Sequence, residues 1–197
     1  MSKSVRIACL VGLAAIAAAI GVASISAGRR AVEAGACADP GRVLPGLTRP
    51  ASPRLAPAGP AFDDRGRERS FADYRGSGLV VNFWATWCAP CVRELPDLDR
   101  LEASLAGSGV RVLAVSTDRE GLSVVEPFFA KHGIRNLPAH VALRGPGFRD
   151  LAVTAMPTTL LIDAAGQEVG RVVGVAEWSA PAVAAFLKAC LARGGRS

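Results

Sequence analysis

Leu79-Val80-Val81-Asn82-Phe83-Trp84-Ala85 is a short apolar run rich in β-branched and aromatic residues, bounded by Gly78 and a Thr86-Trp87 turn. Such a run predicts a strand buried on both faces. The period then changes: Val92, Leu95, Leu98, Leu101 and Leu105 recur every three or four residues. This predicts an amphipathic helix from Pro90 to Ala106, ending near Gly107 and Gly109. Val110 to Ser116 predicts a second buried strand, and Glu120 to His132 a second helix that Pro127 kinks or starts late. Strand, helix and strand make a right-handed βαβ unit with a parallel pair. Further on, Thr158 to Asp163 reads as a strand, Ala164-Ala165-Gly166 as a turn, Glu168 to Val175 as its partner and Ser179 to Leu191 as a closing helix. The expected fold class is α/β, a central mixed sheet flanked by helices.

Before this domain the pattern differs. Ile7 to Gly28 carries no charge and no proline over 22 residues. At about 1.5 Å per residue that length spans a bilayer core of about 30 Å. Residues 1–28 are expected to be a transmembrane anchor, because the run exceeds the 7 to 15 residues or so of a signal h-region. A cleavable signal peptide competes, since Ile25-Ser26-Ala27 ends in a small residue that a signal peptidase accepts. Lys3 and Arg6 before the run and Arg29 and Arg30 after it leave orientation open, yet both alternatives export the rest of the chain. Residues 29–54, with Pro40, Pro45, Pro50 and Pro53 and no sustained period, are expected to be a linker, and residues 55–197 the folded domain. That domain opens on Phe62-Asp63-Asp64-Arg65-Gly66-Arg67, which predicts a hairpin extension.

The net charge of +6 suggests nucleic acid until its distribution is read. From Leu55 onward 16 Lys and Arg face 15 Asp and Glu, so the excess lies in the first 54 residues and the domain offers no basic face for phosphates.

Chemistry concentrates at Cys88 and Cys91. Three residues apart at the start of a helix, they lie on one face of its first turn and suit a disulfide that opens and closes. Unpaired N–H groups and the positive end of the helix dipole favour a thiolate at Cys88, the expected attacking sulfur. Cys91, one turn further in, is the expected resolving sulfur. Pro90 fits the first turn, where its missing N–H is no loss. The alternative use of a CxxC is half of a zinc site. No second CxxC or HxxxH accompanies it, and His132 and His140 stand alone, so no metal is expected.

Val81-Asn82-Phe83-Trp84-Ala85-Thr86-Trp87-Cys88-Ala89-Pro90-Cys91, followed by Arg93-Glu94-Leu95-Pro96, closely resembles the membrane-anchored thioredoxin-like thiol-disulfide oxidoreductases TlpA, ResA and CcmG. Met156-Pro157-Thr158-Thr159 through Asp163, Gly166 and Gly174 to Glu177-Trp178 is most similar to the TlpA branch. The resemblance covers roughly Leu55 to the C-terminus. It implies a thioredoxin-like fold with an N-terminal hairpin, a redox-active disulfide as the only cofactor, and reduction of disulfides in exported clients. By the same resemblance those clients are apocytochrome c or oxidase assembly proteins, a membrane thiol carrier supplies electrons, and the domain faces the periplasm from an inner-membrane tether.

The resemblance also implies that Pro157 is cis and presents the Met156-Pro157 backbone to a substrate strand, where the residues alone allow a plain strand-initiating proline. It assigns Glu94, one turn after Cys91, a proton-tuning role, with a first-turn acid complementing the dipole as the alternative. Asn82 stands where thioredoxin has a buried aspartate, which leaves Glu94 as the substitute acceptor. Trp84 is expected in the core, and Trp87 to shield the disulfide and contact partners. Cys37 and Cys190 remain, and in an oxidising compartment a structural disulfide between them is plausible. The TlpA pattern has a cysteine where Gln167 sits here, a departure from it. Cys9 falls in the apolar run and reads as a small apolar residue.

Three other functions fit these residues less well. A DsbA-like oxidant is an alternative, although Ala89-Pro90 resembles the reductant dipeptides more. A Sco-like copper carrier needs three residues between its cysteines and a suitable histidine. A peroxiredoxin needs a Pro and a Thr before its reactive cysteine, and both are missing.

Overall fold

The computed structural model describes residue 37 and residues 40–52, 54–56, 62–64, 67–142 and 150–192. Asp39–Ser197 forms a compact unit of its own, and of the Met1–Ala38 unit only Cys37 is described, a half-buried helical residue. The expected anchor at residues 1–28 lies outside the described residues. Among the described residues no helix is long and apolar enough to cross a membrane.

Gly78–Trp84 (β5) occupies the middle of the sheet because every one of its residues is buried. It pairs in parallel with Val110–Ser116 (β6) and antiparallel with Thr158–Ile162 (β8). Gln167–Val173 (β9) continues antiparallel beside β8, and His140–Ala142 (β7) lies parallel to β6. Phe62–Asp64 (β3) pairs antiparallel with both β7 and Glu68–Arg69 (β4). The helices are Ala89–Leu105 (α1), Leu122–His132 (α2) and Pro181–Leu191 (α3).

Side chains alternate across β5, as the pleat requires. Leu79, Val81 and Phe83 join Phe71, Leu113, Val115, Leu151, Leu160 and Ile162 in one apolar layer. Val80 and Trp84 face the other way, into a layer with Cys91, Leu95, Leu98, Leu101, Val183 and Leu187 from α1 and α3. Asn82 has the parity of Val80 and Trp84, so it too points at the helices. Trp84 is fully buried, its ring 5.5 and 5.4 Å from those of Phe128 and Phe129 on α2.

The structure corrects the sequence expectations in three places. Part of the expected linker is docked on the domain: Leu47–Thr48 (β1) and Arg54–Leu55 (β2) pair with β9, and Leu44 is buried in the core. Strands of two residues are too short to show a period-2 signal. Gly170 on β9 admits this chain closely, since a Cβ there would lie 3.2 Å from Leu47 Cδ1 and from the Thr48 carbonyl oxygen. Arg54 also reaches the buried Glu168 at 2.8 Å, beside the Arg171 Nε contact at 2.7 Å. Second, α2 begins at Leu122 behind Gly121 and contains Pro127. Third, β7 has no counterpart in the sequence reading, again because three residues carry no period.

Candidate active site

β5 ends at Trp84, and its chain turns through Ala85, Thr86 and Trp87 into Cys88, the N-cap of α1. Pro90 falls in the first turn of α1, where no hydrogen bond is lost. Cys88 and Cys91 are joined as a disulfide with an S–S distance of 2.01 Å. Cys88 is 7 % exposed and Cys91 0 %, which separates an approachable sulfur from an enclosed one. Trp87, 68 % exposed, stands next to the approachable one.

Two loops frame this turn from the same end of the sheet. Trp84 is in register with Ser116 at the end of β6, and Phe83 with Thr158 at the start of β8. Met156-Pro157, which leads into β8, is joined by a cis peptide bond, and the Pro157 carbonyl accepts the Gly174 N–H at 2.8 Å. On the β6 side, Thr117 donates its N–H to the Trp84 carbonyl at 2.9 Å, and its Oγ1 lies 3.4 Å from Met156 Sδ. Asp118 is buried and takes hydrogen bonds from Thr86 N–H at 2.9 Å, Thr86 Oγ1 at 2.7 Å and Ser116 Oγ at 2.7 Å. That carboxylate clamps the turn immediately before Cys88.

Behind the cysteines lies Glu94, 2 % exposed and one helical turn after Cys91. It is not a surface acid complementing the helix dipole. Asn82 Nδ2 donates to its Oε1 at 2.8 Å, Trp178 Nε1 to its Oε2 at 3.0 Å, and the Ala176 N–H reaches Oε2 at 3.4 Å. Burial pushes the Glu94 carboxyl above the usual glutamate range; the Asn82, Trp178 and Ala176 donors offset part of this, and Asp97 adds to it. Asn82 Nδ2 also donates to Thr159 Oγ1 at 2.9 Å. A carboxyl poised this way, on the helix face of a buried thiol pair, is suited to exchange a proton with it.

The structure thus brings Cys88, Cys91, Glu94, Trp87, Pro90, Met156 and Pro157 to the α1 end of the sheet. Cys190 sits half-buried in α3. Asp118, Thr117 and Thr159 had no assigned role in the sequence reading, and Trp178 entered it only through resemblance. A signal for the first two existed: they directly follow the carboxyl end of a parallel strand, where open α/β sheets place their sites. Among the described residues, no three His, Cys, Asp or Glu side chains gather into a group that would hold a metal ion.

Comparison with known proteins agrees with this geometry. ResA, a thiol-disulfide oxidoreductase of Geobacillus thermodenitrificans (strain NG80-2), is 38% identical over 105 residues, which are 53% of this chain and 59% of that protein. ResA of Bacillus subtilis (strain 168) is 30% identical over 112 residues, 57% of this chain and 62% of its own length. The match therefore spans less than two thirds of either relative. Among solved structures, a thiol:disulfide interchange protein of the thioredoxin family from Chlorobium tepidum TLS superposes with a TM-score of 0.56 at 29% identity, covering 70% of this chain and 99% of that one. The fold is thioredoxin-like. The AhpC/TSA family model matches residues 54–181. Because that match takes in well over half of the chain, from β2 through both cysteines and Glu94 to the start of α3, the chain belongs to the AhpC/TSA family.

Proposed function

We propose that this protein is a thiol-disulfide oxidoreductase that reduces disulfides in exported clients from a membrane tether. The observation that carries the proposal is the Cys88–Cys91 disulfide at the α1 N-terminus, one sulfur reachable beside exposed Trp87 and the other enclosed above Glu94.

In the reduced protein, the Cys88 thiolate attacks one sulfur of a client disulfide; the client S–S bond breaks and one client thiolate leaves. A mixed disulfide now joins Cys88 to the client. The Cys91 thiol gives its proton to the Glu94 carboxylate, and the Cys91 thiolate attacks Cys88 Sγ. The Cys88–client bond breaks, releasing the second client thiolate and closing Cys88–Cys91. Two electrons have passed to the client, and a membrane thiol carrier is the proposed source of their replacement. The client strand is proposed to lie along Met156-Pro157, beside a cavity of about 270 Å³ lined by Thr117, Val153, Thr154, Ala155 and Met156. Apocytochrome c and copper-centre assembly proteins of a terminal oxidase are the client classes that the family resemblance favours. An inner-membrane anchor in residues 1–28 would hold the domain in the periplasm.

The reduction potential of the pair, measured on the full chain by equilibration with glutathione or a reference thioredoxin, tests the direction of electron flow. A value of about −200 to −270 mV supports the reductant, and one near about −120 mV makes the protein a disulfide donor instead.

A further inference from the structure

The polar group behind the cysteines contains a mismatch. Glu94 receives only donors: Asn82 Nδ2 on Oε1, Trp178 Nε1 and the Ala176 N–H on Oε2. That set fits a carboxylate, which only accepts. Once Glu94 has taken a proton, Oε1 or Oε2 carries a hydrogen and faces a donor. The indole N–H and the backbone N–H cannot reverse their polarity. The Asn82 side chain can, because its amide oxygen and nitrogen are nearly the same size and exchange places by a half-turn about χ2.

The remaining contacts allow that turn. Asn82 Oδ1 is buried and accepts no hydrogen bond, while both Nδ2 hydrogens are engaged, one by Glu94 and one by Thr159 Oγ1 at 2.9 Å. Reversal brings Oδ1 to the Glu94 and Thr159 side, where its two lone pairs face two hydroxyl-type groups. Protonated Glu94 donates to one, and the Thr159 hydroxyl, a donor as well as an acceptor, rotates to donate to the other. One unmatched polar end of the amide remains in each arrangement, so the two states carry similar burial costs.

We propose that Asn82 is a reversible hydrogen-bond adaptor for Glu94: its amide turns over when the carboxyl gains the Cys91 proton, and Thr159 reverses with it, while Trp178 holds Oε2 as a permanent acceptor and so directs the proton to Oε1. Asn82, Thr159 and Trp178 are positioning residues in this scheme, acting through Glu94. The proposal rests on the oxidoreductase reading only for the source of the proton. Among the described residues, nothing else that faces Glu94 competes for the role. On α1 the charged neighbour is Asp97, and Cys91 titrates only when the disulfide is open. β5 and β8 present Asn82 and Thr159, both uncharged, and the loop after β9 presents Ala176 and Trp178 while Glu177 is exposed.

The experiment is NMR on the full-length oxidised protein, with labelled asparagine side-chain amides and glutamate carboxyl carbons, across a pH titration. The Glu94 carboxyl shift reports its own proton. The expected result is that contacts from the Asn82 amide hydrogens to Thr159 and Glu94, present at high pH, are lost with the same midpoint as the Glu94 shift. Glu94→Gln, whose amide donates to a reversed Asn82 while its oxygen accepts from Trp178, should hold the reversed arrangement at every pH. Asn82 amide contacts that stay constant while Glu94 titrates would overturn the proposal, as would a Glu94→Gln spectrum in which Asn82 keeps its high-pH contacts. Should Glu94→Gln fail to fold, the wild-type titration decides alone. Neither readout involves a client or a reduction potential, so an oxidising potential would sink the reductant reading and leave this proposal standing.

Discussion

Trp178 Nε1 donates to Glu94 Oε2 at 3.0 Å, joining the loop before α3 to the helix that carries the cysteines. The bond stabilises the ionised carboxyl, which burial opposes. Trp178→Phe removes the donor together with part of the indole's buried volume, a packing loss that does not vary with pH, so Glu94 should hold its proton to a still higher pH. A hydrogen bond to a buried charge is worth about 1.5–3 kcal/mol, and that loss should appear above the Glu94 titration and shrink below it. Carboxyl-carbon NMR and urea melts at two pH values check both halves; a loss equal at both would make Trp178 a packing residue only.

Glu94 itself gives a pH signature of opposite sense to that of most carboxylates. Its folded-state value is raised, so its contribution to stability is complete below the unfolded value of about 4.3 and is lost as pH rises through the folded value. A neutral Glu94→Gln side chain does not undergo that loss. The melting temperature of the variant relative to wild type should therefore climb as pH rises from about 4.3 through the raised folded value and level off above it. A difference that stays flat with pH would show that Glu94 does not titrate with a raised value in the folded protein.

Asp99 shows the usual sense. It is buried, and although burial disfavours its charge, hydrogen bonds from Asn136, Leu137 and Arg135 outweigh that and hold the carboxyl below the normal range. Three backbone N–H groups converge on Oδ1, at 3.0, 2.7 and 3.1 Å, and Asn136 Nδ2 meets Oδ2. Its stability contribution is present above about pH 3.9 and disappears as pH falls through the lowered folded value. Asp99→Asn should cost about 1.5–3 kcal/mol at neutral pH in a denaturant melt, with the difference from wild type narrowing in acid.

Much of the fold and the site was legible because burial and period coincide. β5 and β6 are apolar except at Asn82, Arg111 and Ser116, so their extents were readable to within a residue, and Cys88 and Cys91 stand at the first junction where strand period gives way to helix period. Even the orientation of Asn82 follows from counting along β5 from Val80 and Trp84. What the sequence hid were contacts between distant segments that no local pattern encodes. Asp118 looks like a loop acid, Thr159 like a strand residue with ordinary β propensity, and Leu44 to Leu55 like part of a proline-rich tether, since their partners lie on other elements.

Cys37 and Cys190 are expected to pair. If the chain is exported as proposed, such a bridge would contribute about 2–4 kcal/mol. Non-reducing peptide mapping should recover the two cysteines in one cross-linked species, and recovery of either as a free thiol from the oxidised protein would refute the pairing.

The clamp at Asp118 predicts an effect on chemistry from a residue that touches neither sulfur. Its carboxylate accepts both the N–H and the hydroxyl of Thr86, two residues before Cys88, and Ser116 Oγ as well. Asp118→Ala leaves the half-buried Thr86 donors and the buried Ser116 hydroxyl unmatched, at about 1–3 kcal/mol for each one that water does not reach. The turn that sets Cys88 at the N-terminus of α1 would then be held mainly by the Cys88 N–H to Ala85 carbonyl bond at 3.1 Å. A thiolate displaced from the N–H groups of the first turn loses their stabilisation, so the reduced variant should show a higher pH midpoint for alkylation at Cys88. Asp118→Asn, which retains one acceptor oxygen, should fall between wild type and alanine. Equal alkylation profiles in all three proteins would mean that α1 positions Cys88 without help from the β6 loop.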